Sequence, residues 1–129
     1  NDAIGVKLSD EGQYFDFAID TKLDNATSID YEISIIKDAK KSTISDNDIR
    51  IYLEKENSGT YSKVFGPSAF KGIKEESELG SQAGSMILNK VTTKKSVVDN
   101  YRLRMWLSDS SSLQNGDYAV EVVVNGRAN

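Results

Sequence analysis

The sequence predicts an all-β fold: one β-sandwich domain over residues 1–129, jelly-roll or immunoglobulin-like, with seven or eight mainly antiparallel strands. Three observations predict it. Apolar and polar residues alternate with a period of two along most of the chain. The apolar positions are rich in β-branched and aromatic side chains, as half-buried strands require. The segments between them are turn residues, mostly Gly, Asn, Asp and Ser, with Pro67 the one proline. No helical stretches are available as crossovers, so a parallel α/β sheet is excluded, and a closed barrel is the alternative architecture.

The first predicted strand covers residues 3–8, with Ile4, Val6 and Leu8 on one face, and Asp10-Glu11-Gly12 turns the chain. Residues 14–20 follow, where Phe15, Phe17 and Ile19 alternate with Asp16 and Ala18. Asp24-Asn25 marks the next turn. Residues 29–37 place Ile29, Tyr31, Ile33 and Ile35 on one face against Asp30, Glu32 and Ser34 on the other. Residues 38–48 are polar and predict a loop. Residues 49–54 point Ile49, Ile51 and Leu53 inward, and Asn57-Ser58-Gly59 reverses the chain.

Residues 57–84 break the pattern. Tyr61, Val64, Phe65 and Phe70 are apolar, but Gly66-Pro67-Ser68 interrupts them, and Gly80 and Gly84 limit any helical turn at 75–78. This stretch reads as a long irregular loop carrying one short strand; loops of that length are often functional. Strands at 85–91, 96–108 and 117–124 complete the set. Asn115-Gly116, a strong turn dipeptide, predicts that the last two pair with each other. Glu121 would then lie across from Arg102 or Arg104, and Tyr118, Val120, Val122 and Val124 would face inward.

On the longest strand Tyr101, Leu103, Met105 and Leu107 share the core face. Arg102, Arg104 and Trp106 share the other, which is expected to meet solvent. There Trp106 either packs beneath arginine stems or the long loop, or forms an intermolecular contact with the arginines, since Trp and Arg are enriched at interface hot spots.

Composition narrows the chemistry. The chain has no histidine and no cysteine, which removes the usual triad base, thiol nucleophiles and zinc thiolates. Ser–Lys neighbours such as Lys41-Ser42 and Ser62-Lys63 point to opposite faces of an extended strand. Calcium needs only oxygens, and Asp38, Asp46 and Asp48 share a loop while Asp109 and Asp117 flank another, but none matches the EF-hand spacing. The expectation is a protein that is not an enzyme and carries no cofactor. Asn25-Ala26-Thr27 is a glycosylation sequon, relevant only in a secreted eukaryotic protein.

Twenty acidic against sixteen basic residues argue against a nucleic-acid surface, and the Lys90, Lys94, Lys95 cluster reads as a solvated loop. No apolar run approaches the roughly 20 residues of a membrane-spanning helix. The chain starts at Asn1 instead of Met, as after processing or trimming, and a removed signal peptide would fit a secreted or cell-surface protein.

The run Tyr101-Arg102-Leu103-Arg104-Met105-Trp106-Leu107-Ser108-Asp109, followed after a short loop by Gly116-Asp117-Tyr118-Ala119-Val120-Glu121-Val122-Val123-Val124, resembles the C-terminal end of secreted β-sandwich proteins of Gram-positive bacteria. Tyr14-Phe15-Asp16-Phe17 and Ile29-Asp30-Tyr31-Glu32-Ile33 resemble the strands that open those domains. The resemblance is to the camelysin/TasA matrix-fibre group and covers about half the chain in strand patterns. It implies a jelly-roll-like sandwich, export, and subunits that polymerise by passing a terminal strand to a neighbour. Camelysin-type protease activity is not carried over, because no His-Glu-x-x-His is present.

The expectation is therefore a self-associating structural subunit of a fibre, pilus-like filament or surface layer. Ile4, Val6 and Leu8 form the donor strand, and Arg102, Arg104 and Trp106 a contact face. Two alternatives remain at this stage. One is a capsid-decoration or tail-associated component of a virion. The other is a carbohydrate-binding module presenting Tyr14, Tyr52, Tyr61 and Trp106 on a flat face.

Overall fold

The computed structural model describes residues 13–72, 76–112 and 116–129. Ile4, Val6 and Leu8 lie outside the described residues. Within them the strands are β1 (Gln13–Thr21), β2 (Ile29–Lys37), β3 (Ile49–Asn57), β4 (Thr60–Ser68), β5 (Met86–Thr93), β6 (Val97–Leu107) and β7 (Val120–Ala128). They form two antiparallel sheets, ordered β1-β6-β3-β4 and β5-β2-β7, so the chain is an all-β sandwich as predicted.

Alternation builds the core. Tyr31, Ile33 and Ile35 of β2 face Ile49, Ile51 and Leu53 of β3 and Tyr101 and Leu103 of β6 across the sandwich. Phe70, just past β4, and Met86 and Leu88 of β5 close the same core. Full burial of such side chains contributes roughly 1.5–3 kcal/mol each. At one end of the interior Tyr31 donates to Asp99 Oδ2 at 2.7 Å and also shares a hydrogen bond with Tyr101. Lys55 approaches Asp99 Oδ1 at 3.5 Å, which keeps the buried carboxylate paired.

Two expectations need correction and one holds: the stretch 57–84 is mostly irregular among its described residues and carries one strand, β4, nine residues long on the edge of the larger sheet. Its hairpin with β3 turns through Ser58 and Gly59, both with positive φ (53° and 85°). The register of β3 and β4 slips on both sides of Leu53, so the inward positions lose their period of two.

The last two strands do not pair with each other. β7 pairs with β2 in the smaller sheet, and β6 lies between β1 and β3 in the larger one. The chain between them crosses from sheet to sheet and is tied down on the way, the Thr43 and Ile44 amides both donating to the Asp117 carbonyl at 2.7 and 3.1 Å. Glu121 accordingly sits opposite Ile36, not opposite an arginine.

The second correction concerns the face carrying Arg102, Arg104 and Trp106. Arg104 and Trp106 are only 5% and 8% exposed. The reason is the central position of β6, which lets side chains from β1 and β3 flank both arginines.

A polar strap crosses the outer face of the smaller sheet. Glu32, fully buried, accepts hydrogen bonds from Ser77 Oγ (2.6 Å), Ser81 Oγ (2.7 Å) and the Glu78 amide (3.1 Å). Burial by itself would raise the Glu32 carboxyl, but these donors outweigh it and hold the group below its usual value of 4.5. A depressed folded pKa stabilises the fold above the unfolded value and is lost as pH falls through the folded one. Stability is therefore expected to hold above about pH 4.5 and to fall as the solution is acidified below it. Glu32→Gln should cost about 2 kcal/mol at neutral pH and flatten that acid limb. Thermal unfolding midpoints measured across this pH range check both effects.

Candidate assembly surface

Two surfaces stand out. The first is the outer face of the larger sheet. Asp16 of β1 accepts two hydrogen bonds from Arg102, at 2.7 and 2.9 Å. The same guanidinium lies between the rings of Tyr14 and Tyr61, 4.3 and 4.2 Å from their centroids. The Arg102 hydrogen bond holds the Asp16 carboxyl below its ordinary value. Arg104 donates to Glu54 Oε1 at 2.6 Å, and Trp106 meets Tyr52 edge-on with centroids 6.1 Å apart. Tyr52, like Trp106, is buried.

This arrangement ties β1, β6, β3 and β4 together by their outer side chains. It does not form a flat aromatic platform, because of Tyr14, Tyr52, Tyr61 and Trp106 only Tyr14 is more than half exposed. Two of the carboxylates considered for calcium have other partners. Asp38 caps a 3-10 turn through the Lys40 and Lys41 amides, and Asp46 takes Lys37 Nζ and the Tyr118 hydroxyl. No three His, Cys, Asp or Glu side chains converge on a metal position among the described residues.

The second surface is a groove between the sheets. On one side of the sandwich the edges β4 and β5 approach each other. On the other side the edges are β1 and β7, and between them lies an apolar groove of about 410 Å³. Its walls are Phe15 and Phe17 of β1 and Val120, Val122 and Val124 of β7, and its floor is Leu103 and Met105 of β6. Phe15 is 56% exposed and Val124 41%, although both belong to the inward-facing sets of their strands. Phe17 stacks on Tyr101, which fixes the inner end of the wall.

The sequence places Phe15 and Phe17 on one face of their strand and points Val120, Val122 and Val124 inward. Their alternation was the right signal for facing the other sheet. What it lacked was the strand order, which leaves the four-stranded sheet facing a three-stranded one.

An antiparallel two-sheet sandwich with one open, apolar side is the class that fold and surface define. Comparison of the chain with protein-family profiles, with curated proteins and with solved structures returns no match.

Proposed function

We propose that this protein is a non-enzymatic structural subunit that self-associates into a fibre, pilus-like filament or surface layer outside the cell. The groove between β1 and β7 is the observation that carries this reading. Soluble monomers seldom leave a contiguous apolar cleft between two unpaired strand edges, and such edges are templates for an added strand. The resemblance to secreted matrix-fibre proteins supports the same reading and supplies its extracellular setting.

Residues 3–8 are the proposed occupant. Ile4, Val6 and Leu8 recur at every second position, as do Val120, Val122 and Val124 in the groove wall. Each set covers four residue steps, roughly 13 Å at a rise of about 3.3 Å per residue. Burying the three side chains contributes about 1.5–3 kcal/mol apiece, set against the cost of ordering the segment. Arg102, Arg104 and Trp106 brace the acceptor sheet in this reading, and direct contact with a neighbour falls to the exposed Tyr14 beside them.

Electron microscopy of the chain with and without residues 1–8 tests the proposal. Ordered assemblies are expected from the intact chain and only monomers from the shortened one. Unimpaired assemblies from the shortened chain would rule the donor segment out.

A further inference from the structure

We infer that the strap over residues 76–84 is a flap released by acid: a proton taken up by Glu32 detaches it from the outer face of the smaller sheet while the sandwich beneath stays folded.

The strap is set apart from the core. A carbon added at Gly72 would lie 2.5 Å from the Gly84 carbonyl oxygen, so the chain leaves the sandwich and rejoins it at one place. Ser85 and Met86, which follow at once, are buried again. Between these points residues 76–84 hold one large apolar side chain, Leu79, and it is only half-buried. Pockets remain where the strap meets the sheet, one of about 130 Å³ beside Glu78 and Leu79 and one of about 220 Å³ beside Gly80, Ser81 and Gln82. A segment that buries so little apolar surface opens at a cost below that of global unfolding.

Its polar attachments converge on Glu32. The Ser77 and Ser81 hydroxyls both donate to Oε2, and the Glu78 amide donates to Oε1. Neither hydroxyl can reverse without loss. Ser77 Oγ already accepts the Gly80 and Ser81 amides at 3.0 and 2.7 Å, and Ser81 Oγ accepts from Asn125 Nδ2 at 2.9 Å. All three strap groups on this carboxylate are thus donors. A proton placed on either oxygen points at one of them, and a charge-assisted hydrogen bond gives way to a repulsive contact.

The surrounding charges do not replace that hold. Lys90 of β5 favours the ionised carboxylate, and it also donates to the Glu76 carbonyl at 2.8 Å and lies 3.6 Å from Glu78 Oε1. Those two strap contacts are exposed, so water competes for them. Asp30 and Arg127, next along the face, pair with each other at 2.7 Å. With the flap open, Glu32 meets water and binds a proton more readily than in the closed state, so acid draws the open state. Opening uncovers Ile36 and Val123, which line the larger pocket with the strap.

Amide hydrogen exchange followed by NMR, corrected for the intrinsic rate at each pH, tests the flap on the unaltered chain. The Glu78, Gly80 and Ser81 amides report the flap, and amides of the central strands β3 and β6 report global unfolding. The flap amides are expected to exchange faster than the central ones at about pH 7, and their protection to fall about tenfold or more on acidification to about pH 3. In Glu32→Gln the side-chain N–H groups meet the same donors. Flap protection should then be low already at neutral pH and no longer respond to acid, with the central strands still the more protected. Ser77→Ala, which removes one donor and leaves the sheet unaltered, should also lower flap protection. Equal protection of flap and central strands at every pH would overturn the inference, because the flap would then open only with the whole fold. Faster flap exchange that ignores pH, an acid response that survives in Glu32→Gln, or unchanged protection in Ser77→Ala would overturn it as well.

Discussion

Replacing Glu54 by alanine should cost about 3–5 kcal/mol and lower the unfolding midpoint sharply. The substitution takes the carboxylate away from Arg104, whose side chain is 6% exposed and whose Nε lies 2.6 Å from Glu54 Oε1. A buried cation that loses a 2.6 Å carboxylate partner keeps its desolvation penalty with less attraction to offset it. The neighbouring Asp16–Arg102 pair makes a useful contrast. Its geometry is bidentate, but the Asp16 side chain is 45% exposed, so solvent screens it. Asp16→Ala should cost only about 0.5–1 kcal/mol. A double replacement, E54M/R104M, removes both charges and should recover much of the loss of Glu54→Ala. Urea unfolding of the three variants beside the unaltered chain gives the comparison. Equal losses for Glu54→Ala and Asp16→Ala would show that Arg104 draws its stability from other contacts.

Gly66→Ala is expected to be comparably damaging for a different reason. Gly66 has φ +94°, a conformation that costs an L-residue roughly 1–2 kcal/mol. A methyl group there would also sit 2.2 Å from the Ile51 carbonyl oxygen, on a strand that cannot move away without disturbing the core. Backbone displacement of that kind costs a further 1–3 kcal/mol or so. The sum is about 3 kcal/mol. Gly59→Ala isolates the steric part, because Gly59 has a similar φ of +85° and nothing within 4 Å of the added carbon. Gly66→Ala should therefore lose clearly more stability than Gly59→Ala in the same denaturation series. Matching losses would mean that the β4 bulge can shift to make room.

These sites also show which features a sequence displays and which it hides. The bounds of β2 coincide with the predicted 29–37 because its alternation is unbroken and its neighbours on both sides keep their places through Ile33. The sequence shows one strand within 57–84 but not the bounds of β4, because register shifts opposite it separate facing from sequence parity. Pairing of β6 with β7 was inferred from a local dipeptide, Asn115-Gly116. The actual partners are set by which sheet each strand joins, and that depends on the packing of the whole core.

The outer face repeats the lesson. Alternation correctly grouped Arg102, Arg104 and Trp106 on one side of β6. Whether that side is wet depends on β6 being central, a fact of topology. The groove is the strongest case: its residues carry an ordinary core pattern, and the unequal strand count among the described residues leaves Phe15 and Val124 exposed. The donor pattern of Ile4, Val6 and Leu8, in contrast, was legible from the start, since it needs nothing beyond period two.

In the proposed assembly, another subunit fills the open side of the sandwich through its residues 1–8. Sedimentation velocity across a concentration series, run in parallel on the intact chain and on the chain lacking those residues, tests it most directly. Large, concentration-dependent species for the intact chain and a single monomer boundary for the shortened chain are predicted. A monomer boundary for the intact chain at every concentration would contradict the account.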